Sequence, residues 1–130
     1  MSETKPLILC IDDDPDILSF LELVLEGAGY RYAGAESAEE GLRVYKELAP
    51  DAVIVDLMME EVDSGTGLVK ELRLLGNKAP VFMLSSVGDD LSLATDTTPL
   101  GLAGVFQKPL ARKHLLTVLE TALAEARASS

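Results

Sequence analysis

Acidic, hydroxyl and lysine residues stand at the ends of short apolar runs along this 130-residue chain. Leu7–Ile11 stops at Asp12-Asp13-Asp14, Ala52–Val55 at Asp56, and Val81–Leu84 at Ser85-Ser86, while Ala103–Phe106 leads to Lys108-Pro109. Three carboxylates brought together, Asp12, Asp13 and Asp56, repel one another unless a cation intervenes. A small oxygen-seeking dication such as Mg2+ relieves that repulsion, because it accepts one or two carboxylates and keeps water or phosphate oxygens as its other ligands. An ionised aspartate can also attack phosphorus to give an aspartyl phosphate. In-line phosphoryl transfer chiefly requires charge neutralisation and positioning. Mg2+ and the Lys108 ammonium would supply the first, and the Ser85 hydroxyl could donate to a phosphate oxygen.

Each piece also has a plainer reading. Asp12-Asp13-Asp14 before Pro15 fits a helix start, with Asp14 as N-cap and Pro15 in the first turn. A helix cap accounts for Asp14 but does not require three acids in a row. Asp56 alone could be a solvated strand end, and Ser85-Ser86 alone a turn. Lys108-Pro109 is weaker evidence still. His114 reads as a surface residue and Met58-Met59 as loop packing. Cys10, inside an apolar run, reads as a buried and inert thiol.

The elements that would carry these residues alternate in type. Apolar runs without polar alternation suit strands buried on both faces of a parallel sheet. Tyr30–Ala35 and Ala103–Phe106 are weaker runs of the same kind. Between them lie stretches with helical spacing. Ile17, Leu18, Leu21, Val24, Leu25 and Ala28 form one stripe, ended by Gly27 and Gly29. Ser37 with Glu40 forms a capping box leading to Leu42, Tyr45 and Leu48. A third helix is expected over Gly67–Leu75, stopping at Gly76-Asn77. The last is expected from Ala111 to Ala126, with Leu115, Leu116, Leu119 and Leu123 on one face and Ala128-Ser129-Ser130 as a frayed tail. Asp89–Leu102, with three threonines and Pro99, would hold only a short or loose helix. Five βα units of this kind predict an α/β fold with a parallel sheet. In such sheets, ligands bind beyond the carboxyl ends of the strands where strand order switches. All four chemical strand ends lie on that edge.

Composition narrows the function. With 48% apolar residues and a mean hydropathy of +0.22, the chain has enough material for a sizeable core and is not disordered. Its length suits one domain over 1–130, with a core of about residues 6–124. A net charge of −11 and a pI near 4.4 oppose direct binding to nucleic acid or an anionic membrane. One cysteine and one histidine do not suit a zinc site, and no internal disulfide is possible. The first residues lack a basic n-region, and the following apolar run is too short for a signal or a membrane span, so a soluble, cytoplasmic protein is expected.

The chain resembles the receiver domain of two-component response regulators over about Pro6–Ala124. The resemblance rests on Ile-Asp-Asp-Asp-Pro at 11–15, Val-Asp-Leu-Met-Met with a later Val-Asp within 55–63, Ser85 after its apolar run, and Gly-Val-Phe-Gln-Lys-Pro-Leu at 104–110. Asp13, Asp56, Ser85 and Lys108 follow one another at spacings of 43, 29 and 23 positions. No single piece is specific, but four in this order are. The resemblance implies a flavodoxin-like, doubly wound (βα)5 sandwich with a five-stranded parallel sheet in the order 2-1-3-4-5. It implies that Asp56 accepts a phosphoryl group from a phosphohistidine of a sensor histidine kinase or phosphotransfer protein. Asp13 would bind Mg2+ (or Mn2+) directly, Asp12 mainly through water, and the Met58 backbone carbonyl would complete the protein's share. Ser85, with Ser86 beside it, and Lys108 would contact the phosphate. The domain would then act as a conformational switch toward a downstream protein effector, as a monomer or a phosphorylation-dependent dimer.

This chain departs from the family pattern in places. Glu60 replaces a usual proline and Ser64 a usual glycine, so the loop after Asp56 loses a rigid residue and gains an acid. We expect Glu60 to compete for Lys108 before phosphorylation. Val105 stands where relatives often carry the Tyr or Phe that swings inward on activation, and Phe106 beside it would face the other side of the sheet.

Two other functions fit parts of the sequence. A pseudo-receiver would keep the fold as an unphosphorylated interaction module, but the complete set of acids, Ser85 and Lys108 argues against it. A haloacid-dehalogenase-like phosphatase also forms an aspartyl phosphate, with Asp12 as nucleophile. Asp16 stands where that class usually has Thr or Val, and no acidic pair follows Lys108. Nothing in the chain resembles a DNA-binding or enzymatic effector, so it reads as a stand-alone receiver or as part of a longer protein.

Overall fold

The computed structural model describes residues 5–56, 70–85, 104–107 and 111–129. Five strands, β1 (Leu7–Ile11), β2 (Arg31–Ala35), β3 (Ala52–Asp56), β4 (Val81–Ser85) and β5 (Gly104–Gln107), form one parallel sheet ordered β2-β1-β3-β4-β5. That is the order the resemblance implied. The expected third helix is described from residue 70 and is helical over 70–74, and the Asp89–Leu102 stretch lies outside the described residues.

Successive strand residues serve opposite faces, which divides the core in two. Ile8, Cys10, Ala52, Ile54, Phe82, Leu84 and Phe106 pack under α1 (Pro15–Gly27) and the last helix (Arg112–Ser129). Leu9, Ile11, Ala35, Val53, Val55, Val81 and Met83 form the other layer with Leu72, under α2 (Ala38–Leu48). Covered on both sides, β1 and β3 are buried at every position, and so their sequences are continuous apolar runs. β2 is an edge strand of mixed exposure, the physical reason its apolar signal is weak. Asp51 closes the amino-terminal end of the sheet: its carboxylate accepts from the Leu7 N–H at 2.7 Å and its own N–H donates to the Leu7 carbonyl at 2.7 Å.

The helix starts follow their sequence signals. Asp14 caps α1, its carboxylate accepting from the Asp16 N–H at 2.9 Å, with Pro15 in the first turn. The Ser37 hydroxyl accepts from the Glu40 N–H at 3.1 Å, and Glu40 reaches back to the N–H of Glu36 at 2.8 Å, one residue earlier than a standard capping box.

Helix faces differ from expectation at three places. Ala28 lies beyond α1 as its C-cap and is exposed, while Phe20 joins the core layer instead. Leu48, the last residue of α2, is 49% exposed, and Val44 packs on the core instead. The last helix continues through Ala128-Ser129, where no proline or glycine interrupts its backbone bonding. His114 is exposed as expected, but its ring meets Phe106 edge-on at 5.7 Å. Phe106 also packs on Phe82 at 5.2 Å, on the face covered by the last helix.

Candidate metal and phosphoacceptor site

The sheet's order reverses at β1, which has β2 on one side and β3 on the other. That reversal opens a crevice at the carboxyl ends of β1 and β3. In register, Ile11 lies beside Val55, so the next residue of each strand, Asp12 and Asp56, emerges at the same level. Sequence-distant carboxylates become neighbours for this reason alone.

Asp12 is fully buried and Asp56 is 4% exposed, whereas Asp13 is open to solvent. The Asp12 N–H donates to the Ala35 carbonyl at 3.0 Å, extending the β1–β2 ladder by one residue. Its carboxylate accepts from the Asp14 N–H at 2.9 Å, folding the chain back before α1 begins. The turn leaves Asp13 on the outside, over the crevice. One carboxylate oxygen from each of Asp12, Asp13 and Asp56 lies within 4.8 Å of the other two. All three donors are hard oxygens with no imidazole or thiolate among them, a set suited to Mg2+, Mn2+ or Ca2+ rather than zinc. Asp12 and Asp56 are buried and Asp13 is exposed, and three carboxylate oxygens do not fill the six-fold shell of Mg2+, so a bound cation would retain positions for water or phosphate oxygens.

Cys10 lies beneath this site, wholly buried. Burial first, and then the charge of Asp12, push its thiol well above the ordinary range, so it is held as an inert thiol.

Of the other expected site residues, Ser85 ends β4, paired with Gln107, and Val105 lies in β5 beside Met83. These positions put Ser85 at the same sheet edge as the carboxylates; its side chain and that of Val105 lie outside the described residues. Met58, Glu60, Ser86 and Lys108 are outside them altogether. Sequence reasoning missed the two bonds that fix Asp12, from its N–H to Ala35 and to its carboxylate from Asp14. The Asp-x-Asp spacing of an Asx turn was the available signal for the second.

Comparison with known proteins gives a single answer. The family described as the response regulator receiver domain matches residues 8–120. The transcriptional regulatory protein GlrR of Escherichia coli K12 is 36% identical over 123 residues, covering 95% of this chain and 27% of GlrR. This chain therefore spans about a quarter of that relative's length. A crystal structure of a putative response regulator from Chloroflexus aurantiacus is 33% identical, with a TM-score of 0.83 over 92% of this chain and 98% of that one. A response regulator receiver domain protein from Clostridium thermocellum is 28% identical, with a TM-score of 0.88 over 96% and 99%.

Proposed function

Because the chain belongs to the response regulator receiver domain family, we propose that Asp56 is its phosphoacceptor and that Asp12, Asp13 and Asp56 hold the metal that phosphorylation requires. The observation that carries this reading is the meeting of those three carboxylates, within 4.8 Å, at the carboxyl ends of β1 and β3.

Receiver domains are phosphoacceptor switches that work with sensor kinases. In this chain an Asp56 carboxylate oxygen attacks the phosphorus of a kinase or phosphotransfer-protein phosphohistidine. A P–O bond forms, the P–N bond breaks, and its electron pair returns to the partner's imidazole. Mg2+, when bound, neutralises charge on the carboxylates and on the transferring phosphoryl oxygens. Asp13 would be its direct ligand and Asp12 would act mainly through water, with the Met58 carbonyl completing the protein's share. Ser85, with Ser86, and Lys108 receive the phosphoryl oxygens. Burial of Asp56 in a strand end fixes the nucleophile's direction and limits access of bulk water. The chain is thus modified rather than turning over a substrate. We place it in the cytoplasm, as a single receiver unit passing the signal to a protein effector. Among the described residues, no helix is long and apolar enough to cross a membrane.

Incubation with Mg2+ and acetyl phosphate, followed by intact-mass measurement, tests the reading. Wild type should gain one phosphoryl group that Asp56→Asn cannot take and that chelation prevents. Turnover of the phosphodonor dependent on Asp12, with Asp56→Asn still active, would point instead to a phosphatase. No adduct under any condition would leave only an interaction module.

A further inference from the structure

We propose that Gly41 and Ile11 are a size-matched pair that positions Asp12 within the carboxylate cluster, so that α2 acts on the metal site without touching it. This rests on the proposed metal reading of Asp12, Asp13 and Asp56.

Gly41 is the buried residue of α2, and the helix backbone there lies directly on the side chain of Ile11. A Cβ at position 41 would stand 2.5 Å from Ile11 Cδ1, 2.9 Å from Cγ1 and 3.3 Å from Cγ2. The first two distances are shorter than packed carbon atoms tolerate. Gly41 has ordinary helical geometry, so close approach, and not backbone freedom, is what asks for glycine here.

Ile11 is a sensitive place for that pressure. It is 1% exposed, and its register neighbours are Ala35 and Val55. The residue after Ile11 is Asp12, and the residue after Val55 is Asp56. Asp12 is also tied to Ala35 through its N–H. A push on Ile11 therefore moves one carboxylate relative to the other. Nor can α2 readily slide away. The Tyr45 hydroxyl, one turn on from Gly41, donates to Asn77 Oδ1 at 2.8 Å and ties the helix to the turn before β4.

The test is a double-variant cycle read by Mg2+ titration calorimetry and thermal melting of the metal-free chain. Gly41→Ala should weaken Mg2+ affinity by roughly tenfold, the scale of losses when a ligand's support is disturbed. Ile11→Val, which removes Cδ1 and would leave an added Cβ with only the 2.9 Å approach to Cγ1, relieved by a shift of a few tenths of an ångström, should bind nearly as wild type. Combined with Gly41→Ala, it should restore affinity to within about threefold of wild type. A purely structural role would lower the melting temperature and leave Mg2+ affinity in the folded protein unchanged, and that result overturns the inference. If Gly41→Ala does not fold, the double variant decides: recovered folding with near-wild-type affinity supports the pair, and a double variant that is unfolded or binds weakly overturns it. A wild type that takes no Mg2+ overturns the metal reading and this inference together, whereas normal wild-type binding with an equally tight Gly41→Ala overturns this inference alone.

Discussion

Three consecutive aspartates do three different jobs, and the backbone assigns them. Asp12 is buried and bonded to the Asp14 N–H, Asp13 faces solvent over the crevice, and Asp14 turns away to cap α1. The residue types are identical, so only the turn distinguishes the carboxylates of the cluster from the cap. Asp14→Ala should cost about 1 kcal/mol of stability, the usual loss of an N-cap, in urea unfolding. It should leave Mg2+ affinity close to wild type, because the N–H that supports Asp12 belongs to the backbone. Asp13→Asn should do the reverse, with affinity lost and the unfolding midpoint of the metal-free chain unchanged or raised by relief of repulsion. The sequence revealed the Asp14 cap because Pro15 follows it, but it could not reveal that Asp12 is buried. That depends on Ala35, a residue of another strand.

At the scale of elements, α2 is tied to the turn before β4 by a bond between residues far apart in sequence. The Tyr45 hydroxyl donates to Asn77 Oδ1 at 2.8 Å, and Asn77 is itself fixed by Ala79, whose N–H donates to Oδ1 at 3.1 Å and whose carbonyl accepts from Nδ2 at 2.9 Å. Burial raises the Tyr45 phenol above its ordinary value of 10.0. The unfolded chain therefore loses this proton first as pH rises. The contribution is complete below about pH 10 and is lost as pH climbs through the folded-state value. Tyr45→Phe should be less stable near neutrality by about 1 kcal/mol, and its stability should fall less steeply above pH 10 in urea titrations. Ala49 ends α2 in the left-handed region, with φ of 49°, where a Cβ is strained. Ala49→Gly should therefore raise the unfolding free energy measured in urea by up to about 1 kcal/mol. Strand and helix types were legible because burial on both faces writes continuous apolar runs and burial on one face writes helical stripes. Helix ends were less so. Periodicity counts Ala28 and Leu48 as core without knowing where each helix ends, and a glycine inside a helix does not announce that Ile11 lies against it.

For the whole molecule, the acidity of the chain and its fold are parts of one arrangement. The net charge of −11 includes eight acids at the end of β3 or in the sequence following β1 and β3: Asp12, Asp13, Asp14, Asp16, Asp56, Glu60, Glu61 and Asp63. The reversal of strand order between β1 and β3 brings three of these together at one crevice. A cation bound there would relieve the repulsion among the carboxylates, so Mg2+ should act as a stabiliser of the entire domain. At one hundred times its dissociation constant, a ligand specific to the folded state adds about 2.7 kcal/mol. Mg2+ should raise the melting temperature of wild type by several degrees, and that of Asp13→Asn or Asp56→Asn much less, at equal ionic strength. The meeting of Asp12, Asp13 and Asp56 was legible in the sequence, since each residue ends or follows an apolar run. How closely the carboxylates meet was not legible, because it depends on the Ile11–Val55 register.

The central claim is that Asp56 carries the phosphoryl group, and trapping the acyl phosphate by borohydride reduction tests it directly. Hydride reduction releases phosphate and converts the phosphorylated aspartate to homoserine, which peptide mass spectrometry locates. After treatment with Mg2+ and acetyl phosphate, homoserine should appear at position 56 alone. Homoserine at position 12 or 13, with Asp56 intact, would contradict the account.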